Sequence, residues 1–333
     1  MAGDLNLVTG GTGFVGSALV RRLLRDGYRV RVIDDNSRGA MRRLGDVLSD
    51  IDLVVGDIRD PDCVDKAVRG VDTVHHLASV NGTENFYSHP DLVLEVGAKG
   101  TINIVDACRQ HGVGHLFLAS SSEVYQVPPR VPTDETAPLI VPDVMNPRYS
   151  YGGVKLFSEL YAIHVAGHYL QRVALYRPHN IYGPDMGWEH VVPQFAVRLR
   201  RLADAHPKGE IPFPIQGTGN ETRSFCFIDD LIDGVMLVQE RGEHLGLYHV
   251  GTTEEVTIAD LASRVAARFG RDIRLVPGPL RPGSAPRRCP SIDRIVRLGY
   301  MPKVPLREGL AVTCDWYFDK AHLSLMSGAP SPR

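Results

Sequence analysis

The sequence predicts an α/β protein built on a doubly wound parallel sheet, with a smaller, mostly C-terminal lobe. Three observations lead to this prediction. Short apolar strands alternate with helical patterns through the first half of the chain, which is typical of βαβ crossovers. A glycine-rich turn joins the first strand to the first helix. After Pro178, frequent prolines break the chain into shorter pieces.

The apolar periodicity of the first half predicts its elements in order. Predicted strands cover residues 5–8, 28–33, 51–55, 71–77, 115–120 and 172–176. Predicted helices cover residues 18–24, 61–69, 92–111 and 151–169. Because such sheets bind ligands at the carboxyl ends of their strands, we expect functional residues to follow the strands.

The second half predicts a smaller lobe interwoven with returning segments of the first domain. Helical patterns return at residues 229–240, 257–269, 291–298 and 305–318. We expect one domain of residues 1–177 with a returning segment of about 225–250, and a second lobe of residues 178–224 and 251–326. Residues 327–333 are expected to form a disordered tail.

The glycine-rich turn, residues 10–16, reads Gly-Gly-Thr-Gly-Phe-Val-Gly. Gly10, Gly13 and Gly16 allow a tight turn and let backbone N–H groups approach phosphate oxygens. The following helix adds the positive end of its dipole. A strand, this turn and a helix in that order predict a dinucleotide site of the Rossmann type, whereas an ordinary loop would not need these flanks.

An acidic residue after the second predicted strand indicates which dinucleotide binds. Asp34 lies at the carboxyl end of residues 28–33, followed by Asp35. A carboxylate there accepts hydrogen bonds from ribose hydroxyls and repels a 2′-phosphate, which favours NAD over NADP. Arg38 instead favours NADP, since an arginine can accommodate that phosphate.

Tyr151 and Lys155 are the strongest candidates for a catalytic pair. They are four residues apart in a predicted helix and therefore share a helix face. An ammonium beside a phenol favours the phenolate and lowers the pKa of the phenol, so that tyrosine can act as a base. The alternative is that the two residues are only neighbours on an exposed helix surface. Because they occur together with a dinucleotide-binding motif, we favour the catalytic interpretation.

Composition excludes several other classes of protein. The 333 residues carry a net charge of −2, and 43% are hydrophobic, so nothing resembles a basic nucleic-acid-binding face. No stretch predicts a membrane span or a secretory signal, and we expect a cytoplasmic protein. The five cysteines lack CxxC spacing and are expected to be reduced thiols, and no metal site is predicted.

Together these motifs resemble the extended short-chain dehydrogenase/reductase superfamily, specifically its nucleotide-sugar epimerases, dehydratases and decarboxylases. The similarity covers nearly the whole chain. It is carried by residues 9–16, Asp34, residues 56–58, 76–78 and 120–125, Tyr151, Lys155, residues 177–184, 223–225 and 228–230, Arg288 and residues 308–310.

The resemblance implies roles for individual residues. Tyr151 would remove the proton from a sugar hydroxyl, usually O4, while Lys155 holds the nicotinamide ribose. Ser121 would bind the same oxygen, and Ser122 and Glu123 complete the catalytic set. Implied substrate-binding residues are Asn180, Val192, Arg223, which would contact the diphosphate, and Arg288. Implied NAD-binding residues are Gly10, Gly13, Phe14, Val15, Gly16, Asp34, Asn36, Asp57, Ile58, Leu77, Ala78, Ser79, Lys155, Tyr176 and Pro178.

Four residues depart from the superfamily's usual pattern: Gly97, Gln126, Val154 and His179. None of them belongs to the implied catalytic set. They indicate a less common branch with its own substrate.

The resemblance leaves three reactions open, each beginning with oxidation at C4. A 4,6-dehydratase needs an additional acid, but Ser122 stands where the superfamily has Asp. Uronate decarboxylases carry the sequence Thr-Ser-Glu, which is similar to the Ser-Ser-Glu of Ser121, Ser122 and Glu123. We favour a 4-epimerase, with decarboxylase as the main rival, dehydratase behind it, and a non-catalytic NAD-binding protein as a remote alternative.

The resemblance also implies partners. We expect a nucleotide-diphosphate sugar as substrate, no nucleic acid and no membrane. A homodimer is expected through residues 92–111 and 151–169, whose helices would form a four-helix contact. The nucleotide base and the sugar are not predicted.

Overall fold

The computed structural model describes residues 3–188, 190–280 and 283–320. Its main feature is a parallel sheet of seven strands in the order β3-β2-β1-β4-β5-β6-β11. This order doubles back at β1 and β4, which places a crevice at the carboxyl ends of these strands. The strands are β1 (Leu5–Thr9), β2 (Arg29–Asp34), β3 (Ile51–Val55), β4 (Thr73–His76), β5 (His115–Ala119), β6 (Arg172–Pro178) and β11 (Gly246–Val250).

Helices cover both faces of this sheet, because its strands are apolar on both sides. Along β5, Leu116 and Leu118 pack into one buried cluster, whereas Phe117 packs into the other. The helices are α1 (Phe14–Arg25), α2 (Pro61–Val68), α3 (Thr83–Ser88), α4 (Pro90–His111), α5 (Ser150–His164), α6 (Val191–Ala205), α7 (Ile228–Arg241), α8 (Ile258–Arg268), α9 (Asp293–Arg297) and α10 (Leu306–Asp319). The predicted doubly wound α/β fold of the Rossmann type is confirmed.

Short strands outside the main sheet form three small sheets among the described residues. One pairs β7 (Ile181–Tyr182) with β10 (Cys226–Phe227), and one pairs β8 (Ile211–Gln216) with β13 (Ile273–Gly278). The third contains β9 (Thr222–Ser224), β12 (Glu255–Thr257) and β14 (Arg287–Arg288). Strand β11 instead pairs with β6, so the chain returns to the main sheet.

Several predicted boundaries need correction. Helix α5 ends at His164 rather than at residue 169, and a short 3-10 turn, Ala166–His168, follows it. Helices α3 and α6 were not predicted from the sequence. The predicted tail, residues 327–333, lies outside the described residues. Within the described part of the chain, no helix is long and apolar enough to span a bilayer.

Candidate active site

The glycine-rich turn lies between β1 and α1, at the carboxyl edge of the main sheet. Gly10 has φ +72°, which favours glycine. A Cβ added at Gly16 would lie 2.1 Å from the carbonyl oxygen of Gly10, and one at Gly13 would lie 3.1 Å from it. The turn therefore packs directly on the start of α1, where Phe14 and Val15 are half-buried. The expected approach of phosphate oxygens to its backbone stays a prediction.

Asp34 connects this turn to the loop after β2. Its Oδ2 accepts a hydrogen bond from the backbone N–H of Thr12 and its Oδ1 accepts one from that of Asn36, both at 2.9 Å. Thr12 Oγ1 and Asn36 Oδ1 are buried and have no hydrogen-bond partner within the described residues. Because buried polar atoms normally have partners, these two atoms fit the ribose and phosphate groups of a dinucleotide.

Two of the implied NAD-binding residues, Asp57 and Ile58, follow β3. Asp57 is already engaged, since it accepts hydrogen bonds from Arg59 Nε at 2.8 Å and Nη2 at 2.6 Å. This pairing with Arg59 holds the pKa of the Asp57 carboxyl below its usual range, against a smaller effect of burial. Ile58 is buried beneath α4, where a Cβ at Gly100 would lie 2.2 Å from Ile58 Cδ1.

The segment after β4 packs against the glycine turn. The backbone N–H groups of Leu77 and Ala78 donate to Thr9 Oγ1 at 3.1 and 3.0 Å. A Cβ at Gly10 would lie 3.0 Å from the Cα of Ala78. Leu77, Ala78 and Ser79 therefore line the same edge as the glycine turn and continue it toward Tyr151.

Tyr151 lies in the first turn of α5, buried to 5% exposure. One helical turn later, Lys155 donates from Nζ to the carbonyl oxygen of Ala119 at 2.8 Å. Lys155 Nζ is 5.8 Å from the centre of the Tyr151 ring. Burial lowers the pKa of Lys155 to about 8, although the Glu159 charge opposes this.

The ionisation of Tyr151 differs from the sequence expectation. Burial raises the pKa of Tyr151 to about 12, and the hydroxyls of Ser121 and Ser79 lower it by less. From the sequence, we expected the ammonium of Lys155 to lower this pKa. In the structure that ammonium is directed at the Ala119 carbonyl instead, so desolvation of the phenol prevails.

The remaining predicted catalytic residues follow β5. Ser121 caps a 3-10 turn, Ser122–Tyr125, by accepting a hydrogen bond from the N–H of Glu123 at 3.2 Å. Ser122 is buried to 7% exposure. Gly152 allows this turn to approach α5, because a Cβ there would lie 2.7 Å from the carbonyl oxygen of Glu123.

Glu123 is held by two arginines. Arg148 Nη2 donates to its Oε2 at 3.0 Å, and Arg288 donates from Nη1 to Oε1 and from Nη2 to Oε2. Burial raises the pKa of Glu123, but the charges of Arg288 and Arg148 outweigh it and hold that pKa at about 2. Glu123 is therefore an ionised, fixed carboxylate, and Arg288 is less free for a substrate than the sequence implied.

Arg148 and Phe86 are site residues that sequence reasoning missed. Arg148 precedes Tyr151 by three residues, a spacing that could have indicated it. Its guanidinium carbon is 5.2 Å from the centre of the Phe86 ring. Phe86 lies on α3, which the sequence analysis did not predict.

Two of the predicted substrate contacts bind main-chain carbonyls. Asn180, with φ +43°, donates from Nδ2 to the Ser224 carbonyl at 2.9 Å. Arg223 donates to the carbonyls of Thr222 and Ala285, each at 2.7 Å. Burial lowers the pKa of Arg223 to about 10, with a contribution from the Arg288 charge.

Three predicted contact residues differ in what they can offer a ligand. Val192, 1% exposed, and Tyr176, 0% exposed, belong to the main buried cluster. Their side chains are therefore closed off from a ligand, which these residues would contact through the main chain. Pro178, at the end of β6, is half-buried.

Two residues that depart from the superfamily pattern bring unpaired polar atoms into the interior. Both ring nitrogens of His179 and both amide atoms of Gln126 are buried and lack partners within the described residues. His179 and Arg288 border one small cavity together with Ser122. Burial, and then the His249 and arginine charges, hold the pKa of His179 well below its usual range, so its imidazole is neutral.

Comparisons with known proteins find relatives over nearly the whole chain. The chain is 31% identical over 328 residues to a dTDP-4-dehydro-6-deoxy-D-allose reductase of a Streptomyces species, covering 95% of this chain and 97% of the relative. It is 30% identical over 324 residues to a UDP-glucose 4-epimerase of Mycolicibacterium smegmatis, covering 95% and 99%. A dTDP-glucose 4,6-dehydratase from Streptomyces venezuelae, crystallised with NAD, superposes with a TM-score of 0.85 at 30% identity, covering 96% and 98%.

These relatives catalyse different reactions at almost the same sequence identity, so likeness alone does not select one. Residues 6–251 match the model of a single family, and they include the glycine turn, Asp34, Tyr151 and Lys155. NAD is the cofactor of that family, in agreement with the polar atoms left unpaired beside Asp34. The chain is an extended short-chain dehydrogenase/reductase and belongs to the NAD dependent epimerase/dehydratase family.

Proposed function

We propose that this protein is a nucleotide-sugar 4-epimerase that acts through a transient 4-keto sugar. The observation that carries the proposal is the composition of the site around Tyr151. A buried phenol, the Ser121 hydroxyl and the Lys155 ammonium meet at the carboxyl end of β5, yet residue 122 is serine. Such a site can exchange a proton with a sugar hydroxyl but offers no acid at residue 122.

The chain's own residues supply the proton chemistry. Tyr151 would take the proton from O4 of the sugar, while Ser121 donates a hydrogen bond to that oxygen. NAD, held by the glycine turn, Asp34 and Lys155, supplies the hydride acceptor at C4 and later the hydride donor. After the keto sugar turns over, hydride would return to the opposite face of C4 while Tyr151 returns the proton to O4. Proton and hydride both return, so substrate and product have equal mass.

The site disfavours elimination of water. Loss of water across C5 and C6 requires an acid that protonates the leaving hydroxyl. Ser122 cannot serve at neutral pH, and Glu123 is ionised at a pKa of about 2 with both oxygens engaged by arginines. We therefore place dehydration last among the three reactions.

A uronate decarboxylase is the second candidate, because of the charges at Glu123. Arg148 and Arg288 already bind one carboxylate beside Tyr151. Guanidinium groups bind carboxylates well, so a C5 carboxylate could share these donors. Oxidation at C4 would make that carboxylate β to a ketone, from which CO2 can leave.

The test is incubation of the purified protein and NAD with a panel of sugar nucleotides. The panel contains UDP-glucose, UDP-N-acetylglucosamine, UDP-glucuronate and dTDP-glucose, followed by mass spectrometry and proton NMR. We expect a product of unchanged mass whose H4 coupling constants show the inverted configuration at C4. A product lighter by CO2 would replace the proposal with decarboxylation, and one lighter by water with dehydration.

Two variants test whether the measured turnover depends on Tyr151 or comes from a contaminating enzyme. Tyr151→Phe should bind NAD normally and lose turnover by about 10²-fold or more, as expected for removal of a general base. Tyr161→Phe, on the same helix at a half-buried position, is the matched control and should retain activity. NAD binding without turnover of any panel member would favour a non-catalytic protein.

A further inference from the structure

Arg148 is fixed at the entrance to α5, three residues before Tyr151. It is buried to 8% exposure in the turn Pro147–Tyr149. The side chain of Asn146 caps this turn by accepting a hydrogen bond from the N–H of Arg148 at 3.0 Å. One face of its guanidinium lies over the Phe86 ring, and its Nη2 donates to Glu123. A charged group fixed so close to the candidate base needs an explanation.

Hydrogen bonding alone does not require Arg148. Arg288 already donates to both carboxylate oxygens of Glu123, one from each Nη. Arg148 is therefore a second positive charge on a carboxylate that is already paired. The main contribution of Arg148 is its charge: Glu123, Arg148 and Arg288 together carry a net positive charge, whereas Glu123 and Arg288 alone would be neutral.

The charge of this group matters because Glu123 lies beside Tyr151. The backbone of Glu123 packs on Gly152, the residue after Tyr151. A negative charge there opposes loss of the phenolic proton, and it raises the pKa of Tyr151 in addition to burial. The other polar groups facing the phenol are the hydroxyls of Ser121 and Ser79, the Lys155 ammonium and the Arg38 guanidinium.

We propose that Arg148 is a positioning residue that neutralises Glu123 beside Tyr151 and so allows the phenol to lose its proton during the reaction. This rests on the proposed role of Tyr151 as base. Arg148 donates to Glu123 and lies over the Phe86 ring, which stacks on Tyr151, and we assign its effect on the phenol to the charge of Glu123.

The test follows ionisation of the Tyr151 phenol in the NAD-loaded protein without sugar nucleotide. Phenolate absorbance is titrated against pH, and the Tyr151→Phe spectrum is subtracted because the chain contains 12 tyrosines. The positive charge of the nicotinamide lowers the pKa of a nearby phenol, which brings the transition toward a measurable range. Circular dichroism at each pH verifies that the protein remains folded.

Four variants distinguish charge from structure. Arg148→Met should raise the Tyr151 midpoint by about one pH unit, and Glu123→Gln should lower it. The double variant should return the midpoint to the wild-type value or below, because the charge that Arg148 offsets is gone. Arg268→Met, which breaks an exposed pair with Asp315, is the matched control and should change nothing.

Three outcomes would overturn the proposal. These are an unchanged midpoint in Arg148→Met, a rise that persists when Glu123→Gln is added, and a wild-type titration without a Tyr151-dependent signal. If Arg148→Met fails to fold, Arg148→Lys keeps the charge and should retain the wild-type midpoint; a raised midpoint there would count against the proposal. Since no sugar is turned over, these results are separate from the fate of the 4-epimerase proposal.

Discussion

Phe86 lies flat against Tyr151, with ring centres 5.0 Å apart and planes inclined by only 13°. Phe86 is 2% exposed and belongs to a small buried cluster with Val80, Val93 and Val154. One face of the phenol is thus covered by a ring that is itself packed between α4 and α5. Tyr151 owes its orientation to this stack as well as to its own helix.

This stack predicts the effect of removing the ring. Phe86→Leu keeps the site apolar but loses the stacking, which is worth about 0.5–1.5 kcal/mol. We expect kcat to fall by up to about 10-fold while the dissociation constant of NAD changes little. Steady-state kinetics and NAD titration measure the two effects. An equal loss in NAD affinity would mean that the residue supports the whole site rather than the phenol.

The carboxyl group of Glu123 predicts a specific pH dependence of stability. Its folded-state pKa, about 2, is below its ordinary value of 4.5. The arginine pairing therefore stabilises the fold fully above pH 4.5, and this contribution is lost as the pH falls toward 2. The difference in unfolding free energy between wild type and Glu123→Gln should be largest above pH 4.5 and shrink below it, as measured by urea unfolding. A constant difference across this range would contradict the assigned ion pairs.

The sequence predicted the main sheet well, because its strands are short apolar runs between helical patterns. It missed α3, since Thr83–Ser88 is only six residues long and mostly polar, with Phe86 its one buried residue. It extended α5 too far because the apolar pattern continues past His164. Residues 166–168 instead form a separate turn, where Leu245 packs so closely that a Cβ at Gly167 would lie 2.7 Å from its side chain.

The candidate site was predictable where it depends on local spacing. Tyr151 and Lys155 share a helix face, and Gly10 and Asp34 flank consecutive strands. Glu123 and Arg288, by contrast, are 165 residues apart, and only the return of β14 beside β9 brings them together. Lys155 likewise meets a carbonyl on β5 that no helical periodicity indicates. Burial sets the pKa values of Tyr151 and Lys155, and charges from separate elements set that of Glu123; local patterns reveal neither.

Asp34 predicts the choice of dinucleotide. Asp34→Ser removes a buried carboxylate that would bind the ribose and repel a 2′-phosphate. Loss of a charged hydrogen bond costs about 1.5–3 kcal/mol, so NAD affinity should fall by about 10- to 100-fold while NADP affinity rises. Calorimetric titration with both dinucleotides measures this. Asp35→Ser, at the exposed neighbouring residue, is the control and should retain the preference.

His179 predicts a gain in stability on substitution. Its neutral imidazole is 3% exposed with no partner for either nitrogen in the described residues, and it packs edge-on against His249 at 4.6 Å. His179→Phe retains the ring and removes the unpaired polar atoms, which should raise the unfolding free energy by about 1–3 kcal/mol. Urea unfolding tests this, with His164→Phe on the exposed end of α5 as control. A loss of stability would contradict this prediction.

A buried ion pair beneath the site predicts the largest loss of stability. Arg177 and Glu159 are 3% and 4% exposed, and Arg177 Nε donates to Glu159 Oε1 at 2.8 Å. Ser120 also donates to Glu159, and Arg177 donates to Tyr125, whose hydroxyl contacts His249 Nε2 at 2.6 Å. This network joins α5, β6 and β11 to Ser120 and Tyr125, which follow β5.

Removing one partner leaves the other charge buried and unpaired. Arg177→Met should therefore destabilise the fold by about 3–5 kcal/mol, measured by urea unfolding. The double variant Arg177→Met with Glu159→Leu should recover much of this loss, because no uncompensated charge remains. If the double variant were as unstable as the two single losses added together, the pair would not be coupled. Its geometry behind β5 would then have to be maintained by packing around Tyr125 rather than by charge.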